Sequence, residues 1–189
     1  MTVMKRIFDI ISALILVVLL SIPLLVVAVL VRLSSKGPVI FWTDRFGANN
    51  RIFKMAKFRT MRLDAPQVAK HLMKNRDDYV TPIGKFLRKY SLDEIPQLLN
   101  ILNGDMAFVG PRPALFNQHD LIELRTKKGI HKLLPGVTGW AQVNGRDTLS
   151  VPVKVEFDEY YLKNKSFPLD FKIVLMTFAK AIRGKDVQY

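Results

Sequence analysis

Hydrophobic positions along this chain fall into one long uninterrupted run and then a series of shorter amphipathic stretches. Residues 10–31, "IISALILVVLLSIPLLVVAVLV", carry no charge. Roughly 22 residues at ~1.5 Å each give about 33 Å of helix, enough to cross a ~30 Å hydrocarbon core. Two features argue against a straight crossing. Pro23 sits near the middle and removes a backbone donor, so a helix kinks or breaks there; each half is then about 18 Å long, too short to span. Lys5 and Arg6 precede the run and Arg32 and Lys36 follow it. That symmetry gives no orientation for a span and is satisfied when both ends face the cytoplasm. The pattern predicts a re-entrant helix–break–helix that dips into one leaflet and returns. Ser21 helps to satisfy carbonyls freed at the break. A spanning helix is the competing reading.

Beyond a turn at residues 34–38 ("SSKGP"), short aromatic and apolar stretches interrupted by "GANN" predict a β-hairpin, with "RIFKMAKFRTM" as its second strand. Thr81-Pro82 reads as an N-cap and first helical residue of a helix through Tyr90. A second helix is expected over residues 91–102, stopping at Asn103-Gly104. "NQHDLIELRTKKGIHKLL" is amphipathic and interrupted at Gly129; "VEFDEYYLKN" reads as helical. The last helix, "LDFKIVLMTFAKAIRGK", carries Phe171, Val174, Leu175, Phe178 and Ile182 on one face. Such faces either lie on lipid headgroups or cover a core. The expected fold is α+β and mostly helical: a membrane segment, 1–36, followed by a compact domain, 37–189, with amphipathic interfacial helices.

Charge narrows the partner. The chain has 189 residues and a net charge of +13, with 49% hydrophobic and 24% charged residues. A basic surface beside a membrane segment predicts an anionic partner: nucleic acid, lipid headgroups or a phosphorylated substrate. No RNA-recognition or helix-turn-helix pattern accompanies the charge, which argues against nucleic acid. There is no cysteine and there are three histidines, so thiolate metal sites are excluded and a histidine-rich centre is not expected. No P-loop, Gly-rich nucleotide loop, HExxH or GxSxG occurs.

"SLDEIPQLLN", residues 91–100, places two carboxylates side by side in a chain with few of them. As S-x-x-E it reads as a capping box, in which Ser91 caps and Glu94 reaches back to its N–H. That leaves Asp93, which either suits the helix dipole or serves chemistry. Pro96 falls where an α-helix wants a donor, and conflicts of this kind mark functional sites. An aspartate carboxylate can attack phosphorus and form an acyl phosphate. It can equally bind Mg²⁺ together with phosphate oxygens. "GDMAFVGPRP" holds Arg112 between two prolines that stiffen its backbone, and a guanidinium fork suits a diphosphate. "KFRT" puts Lys57 and Arg59 on one side of a strand, and "VNGRD" presents Arg146 after a tight turn. Together these cations suit a diphosphate near the carboxylates.

These motifs, in the order "KFRTM", "SLDEIPQLLN", "GDMAFVGPRP", "PGVTGWAQVNGRD" and "YYLKNKSFPLDFKI", resemble the bacterial sugar transferases, the small monotopic polyprenol-phosphate phosphoglycosyl transferases. The resemblance covers nearly the whole chain. It implies transfer of a sugar 1-phosphate from a UDP-sugar to undecaprenyl phosphate with release of UMP. That is the first membrane step of polysaccharide or glycoconjugate assembly, such as a capsule or O-antigen. It implies a covalent aspartyl intermediate on Asp93, which also contacts Mg²⁺, with Glu94 as its dyad partner. Arg112 and Arg146 are then diphosphate ligands, Lys57 and Arg59 phosphate contacts, and Asp170 an acidic residue near the site. The implied location is the bacterial inner membrane, with a catalytic domain over residues 37–189 on its cytoplasmic face. An N-acetylated amino sugar is the expected donor sugar. Similar proteins have Ser-Pro at the membrane break, where this chain has Ser21-Ile22-Pro23, and often serine where Ala107 stands. The extra domains of larger relatives are absent, which suggests a minimal catalytic form.

Overall fold

The apolar run folds as two helices, α1 (Val3–Leu19) and α2 (Ser21–Ser34), bent by 65°. The computed structural model describes residues 2–65, 76–145 and 148–183. Among these, no single helix is long and apolar enough to cross a membrane, whereas the bent pair is when taken together. The break lies at Leu20, three residues before Pro23, and so corrects the expectation that the helix parts at the proline. A proline ring clashes with the carbonyl four residues earlier, here Leu19, and ends the helix in the preceding turn. Pro23 itself then occupies the first turn of α2, where a missing N–H costs nothing. Ser21 Oγ donates to the Val18 carbonyl at 2.8 Å, as its position suggested.

Strands β1 (Ile40–Phe46) and β2 (Ile52–Phe58) form the antiparallel hairpin. Asn49 and Asn50 turn it with φ of 54° and 57°, a left-handed conformation that asparagine tolerates. Helix α3 (Pro82–Lys89) is capped by Thr81, whose Oγ1 accepts from the Gly84 N–H at 3.0 Å. A 3₁₀ turn, Leu92–Gln97, leads into α4 (Leu98–Asn103), which ends at Gly104 with φ 92°. Then follow β3 (Ala107–Val109), β4 (Ala114–Leu115), α5 (His119–Lys127), β5 (Gly136–Thr138), α6 (Trp140–Val143), α7 (Val151–Asn164) and α8 (Phe167–Arg183). The hairpin gains β4 to give an antiparallel sheet in the order β2-β1-β4, and β3 pairs with β5 in parallel. The fold is α+β and mostly helical.

The N-terminal helices are built into the core. Ala13, with Leu16 and Val17, packs against Leu98, Ile101 and Met106; Val31 packs against Phe58 and Leu87. Arg6 donates to the carbonyls of Ile101 and Leu102, satisfying the open end of α4. Lys5 pairs with Asp170 on α8. The opposite faces stay bare: Phe8, Ile11 and Ile15 on α1, and Ile22, Leu25 and Val26 on α2, are each more than half exposed. Helix α8 repeats the pattern. Ile173 is fully buried, while Phe171, Leu175 and Phe178 point outward; of the expected stripe Val174 packs against the core, beside Ile173. The side chain of Ile182, assigned to the same stripe, lies outside the described residues.

Candidate active site

The acidic pair sits on a turn the local sequence disguises. Ser91 takes a left-handed conformation, φ 56°, and its side chain caps nothing. The expected capping box is therefore not formed. Glu94 N–H still donates to the Ser91 carbonyl at 3.2 Å, but its carboxylate is drawn elsewhere: Lys57 Nζ lies 2.7 Å and Arg112 Nη2 3.1 Å from Glu94 Oε1. Two charge-assisted bonds outcompete one to a backbone N–H. Pro96 lies inside the 3₁₀ turn, and the α-helix proper begins only at Leu98, beyond it.

Asp93 Oδ2 stands 4.0 Å from the same Lys57 Nζ. The side chains of Lys57, Asp93 and Glu94 are 16%, 12% and 9% exposed, so the cluster is shielded yet reachable. Burial lowers the Lys57 ammonium from its ordinary range, against the pull of Glu94 and Asp93. The two neighbouring carboxylates take different positions: Glu94 bridges two cations, while Asp93 sits farther out from Lys57.

Three other elements hold the cluster in place. Asn100, 1% exposed, lies under the outer edge of β2. Its Oδ1 accepts from Ala56 N–H at 2.9 Å and its Nδ2 donates to the Lys54 carbonyl at 2.7 Å. These bonds close the free edge of the strand that carries Lys57 and stitch it to the segment that carries Asp93. The Gly-Pro-Arg-Pro loop is set by close backbone approach: a Cβ at Gly136 would meet Gly110 N at 2.1 Å, and one at Gly110 would meet Leu134 O at 2.4 Å. Its far side is clamped by Arg125. That residue donates from Nη1 to the Arg112 carbonyl at 2.8 Å, and from Nε and Nη2 to Asp158 Oδ2 at 3.0 and 2.6 Å. Asp158 is 1% exposed; burial pushes its carboxyl up while Arg125 pulls it down.

Arg45, on β1, completes the cluster. In the hairpin register Phe41 pairs with Lys57 and Arg45 with Phe53, so Arg45 and Lys57 share one face of the sheet. Burial and the charge of Arg112 lower the Arg45 guanidinium to about 10.

Not every residue expected at the site is brought to it. Strand β2 ends at Phe58, and Arg59 turns away. Its guanidinium donates to the carbonyls of Ser35 and Pro38 and to Ser35 Oγ, tying down the turn after α2. Asp170 accepts from Tyr161 Oη at 2.7 Å and pairs with Lys5, at the junction of α1 and α8. Arg146 lies outside the described residues. Asn100, Arg125, Asp158 and Arg45 were not anticipated. The only signal for Asn100 was a polar residue inside "QLLNIL".

Comparison with known proteins gives this geometry a family. The bacterial sugar transferase profile matches residues 1–184. The sugar transferase EpsL of Bacillus subtilis is 40% identical over 188 residues, 98% of this chain and 91% of that protein. The UDP-glucose:undecaprenyl-phosphate glucose-1-phosphate transferase of Escherichia coli is 41% identical over 96% of this chain and 41% of its own length. The UDP-N-acetylgalactosamine-undecaprenyl-phosphate N-acetylgalactosaminephosphotransferase of Aeromonas hydrophila is 40% identical over 95% of this chain and 44% of its own. This chain thus spans less than half the length of the latter two. By the match along its whole length, the chain belongs to the bacterial sugar transferase family.

Proposed function

We propose that this chain transfers a sugar 1-phosphate from a UDP-sugar to undecaprenyl phosphate, giving undecaprenyl-diphosphate-sugar and UMP. The observation that carries the reading is Asp93 beside Lys57, with Glu94 held between Lys57 and Arg112, in a member of this family. An Asp93 oxygen attacks the sugar-linked phosphorus, the bond to the bridging oxygen breaks, and UMP leaves with the electron pair. An oxygen of the lipid phosphate then attacks the same phosphorus, and the acyl phosphate bond breaks to restore the Asp93 carboxylate. Splitting one exchange between anions into two steps is the gain of covalent catalysis. Lys57 and Arg112 offset charge on the phosphoryl oxygens. Glu94 keeps these two cations positioned.

Among the described residues no three His, Asp or Glu side chains gather as a metal cage. Mg²⁺ needs less: one or two carboxylates, with phosphate oxygens and water completing its sphere. The acidic pair fits that requirement, and Asp93 would hold the ion, since Glu94 is already shared by two cations. When bound, it supplies positive charge to the donor's phosphate oxygens.

The test is nucleotide release. The protein in nanodiscs is mixed with Mg²⁺ and a panel of UDP-sugars, with and without undecaprenyl phosphate, and UMP and UDP are assayed separately. UMP in an amount matching the enzyme without lipid, and turnover with it, is the expected result. UDP in place of UMP overturns the reading. The panel includes UDP-glucose and N-acetylated amino sugars; we assign the latter as donor, and turnover of glucose alone overturns that assignment.

The same reading places residues 37–189 on the cytoplasmic face of the inner membrane, with the bent α1–α2 pair entering one leaflet and returning. The bare apolar faces of α1, α2 and α8 support it. The chain has no cysteine, so Thr2→Cys introduces a unique thiol. It is expected to resist an impermeant reagent outside intact cells and to react in inside-out vesicles. Labelling from outside overturns the re-entrant path.

A further inference from the structure

Beside the carboxylate pair a shallow cleft opens to solvent. Arg112 belongs to both places: it donates to Glu94 and lines the cleft. The other polar groups of the wall come from four further elements: Arg45 on β1, Gln118 and Arg125 at α5, Gln142 on α6 and Lys154 in the first turn of α7. No acidic residue is among the described residues of the wall. Two of the cations are already committed, Arg125 to Asp158 and Arg112 to Glu94. Arg45 and Lys154 form no ion pair among the described residues, and Arg45 Nε is buried without a hydrogen-bond partner. Gln142 Nε2 donates to the Val137 carbonyl at 3.0 Å, which fixes the amide, and its Oε1 is buried with no donor.

A wall rich in positive charge, with an orphaned acceptor, is complementary to an anion that also carries an N–H or O–H. Two phosphates of the proposed reaction compete for it, the nucleotide's and the lipid's. None of the described residues of α1, α2 or α8, whose apolar side chains face outward, lines the cleft. The wall offers only Pro113, Leu121 and Ala141 to an apolar chain. A polyprenyl tail finds little apolar wall to lie on here, whereas a water-soluble nucleotide needs none.

We propose that this cleft seats the leaving nucleotide: Arg45 and Lys154, with Arg112 at the inner edge, bind the phosphate next to the nucleoside, and Gln142 accepts from the base. The sugar-linked phosphate then lies toward Asp93 across the bridging oxygen. Arg45, Lys154 and Gln142 thereby become nucleotide-binding residues of the reaction proposed above, on which this inference rests. The imide N3–H of uracil suits the Gln142 oxygen, whereas cytosine has no hydrogen at that ring nitrogen.

The test measures UMP binding by calorimetry on the full chain in nanodiscs, without turnover, alongside KM for the donor and for undecaprenyl phosphate. Arg45→Met and Lys154→Met keep side-chain length and remove charge. Each is expected to weaken UMP binding by about 10-fold or more, the worth of a charge-assisted bond. Each is also expected to raise KM for the UDP-sugar while leaving KM for the lipid phosphate unchanged, and Arg45→Lys recovers part of the loss. CMP binds the wild type more weakly than UMP. Unchanged UMP affinity in both Met variants overturns the proposal, as does a rise in KM for the lipid alone, which would make the cleft the acceptor's. If Arg45→Met fails to fold, the half-buried Lys154→Met carries the test. The two readings fail separately. UMP release with Arg45-independent UMP binding removes the cleft assignment only. Arg45-dependent UMP binding with UDP as product removes the phosphoglycosyl reaction only.

Discussion

Replacing Asp93 by asparagine is expected to lower UMP release by about three orders of magnitude or more, the scale seen when a covalent nucleophile is removed, while the chain stays folded. The amide matches the carboxylate in size. Lys57 Nζ, 4.0 Å from Asp93 Oδ2, keeps its 2.7 Å contact to Glu94. The substitution therefore leaves the Lys57–Glu94 contact in place. Glu94→Gln is a different experiment. Glu94 Oε1 holds both Lys57 and Arg112, and Arg45 adds a third cation nearby. Neutralising that oxygen leaves clustered positive charge without its bridge, so a loss of stability accompanies the loss of activity. The discriminating measurement is mass spectrometry of enzyme quenched after mixing with donor alone. A sugar-phosphate adduct on the wild type, absent in Asp93→Asn, is the expected pattern. An adduct of equal yield in the variant would place the nucleophile elsewhere.

The second large effect lies away from the reacting groups. Asp158→Ala is expected to destabilise the fold by about 3–5 kcal/mol, because it leaves the Arg125 guanidinium buried without its counter-ion. The pair's side chains are 11% and 2% exposed, so water cannot replace the lost partner. Arg125 also holds the Arg112 carbonyl at 2.8 Å, so the Gly-Pro-Arg-Pro loop loosens with it. Thermal unfolding of the single variant and of an Arg125→Met/Asp158→Leu double variant checks this. The double variant is expected to regain most of the stability, since a well-packed apolar pair can replace a buried ion pair. Equal destabilisation of both would refer the effect to packing of α5 against α7 instead.

Much of this was legible because local chemistry decided it. The hairpin turn needed residues that accept positive φ and had Asn49 and Asn50; α3 began where Thr81-Pro82 said it should, and α4 stopped at Gly104. The acidic pair was visible because carboxylates are scarce in so basic a chain. Legibility failed where distant groups overrode local ones. Ser91 and Glu94 spell a capping box, yet Lys57 and Arg112 take the carboxylate away from it. Arg59 shares a motif with Lys57, but the strand ends between them and the carbonyls of Ser35 and Pro38 capture it. Arg125 and Asp158 stand 33 residues apart, and nothing in either stretch announces the other. A lone arginine such as Arg45 says nothing about the loop that folds across it.

The bond between Lys5 and Asp170 closes the chain over 165 residues, and that separation bears on biogenesis. At ~5–20 residues per second, ribosomes take roughly 8–33 s to make the chain between the two. Lys5 therefore waits unpaired for that interval, whereas the inner face of α1 can pack on Leu98, Ile101 and Met106 as soon as those residues have been made. Only the last tie of α1, from Lys5 and Phe8 to the α8 end of the chain, is made when Asp170 and Phe167 arrive.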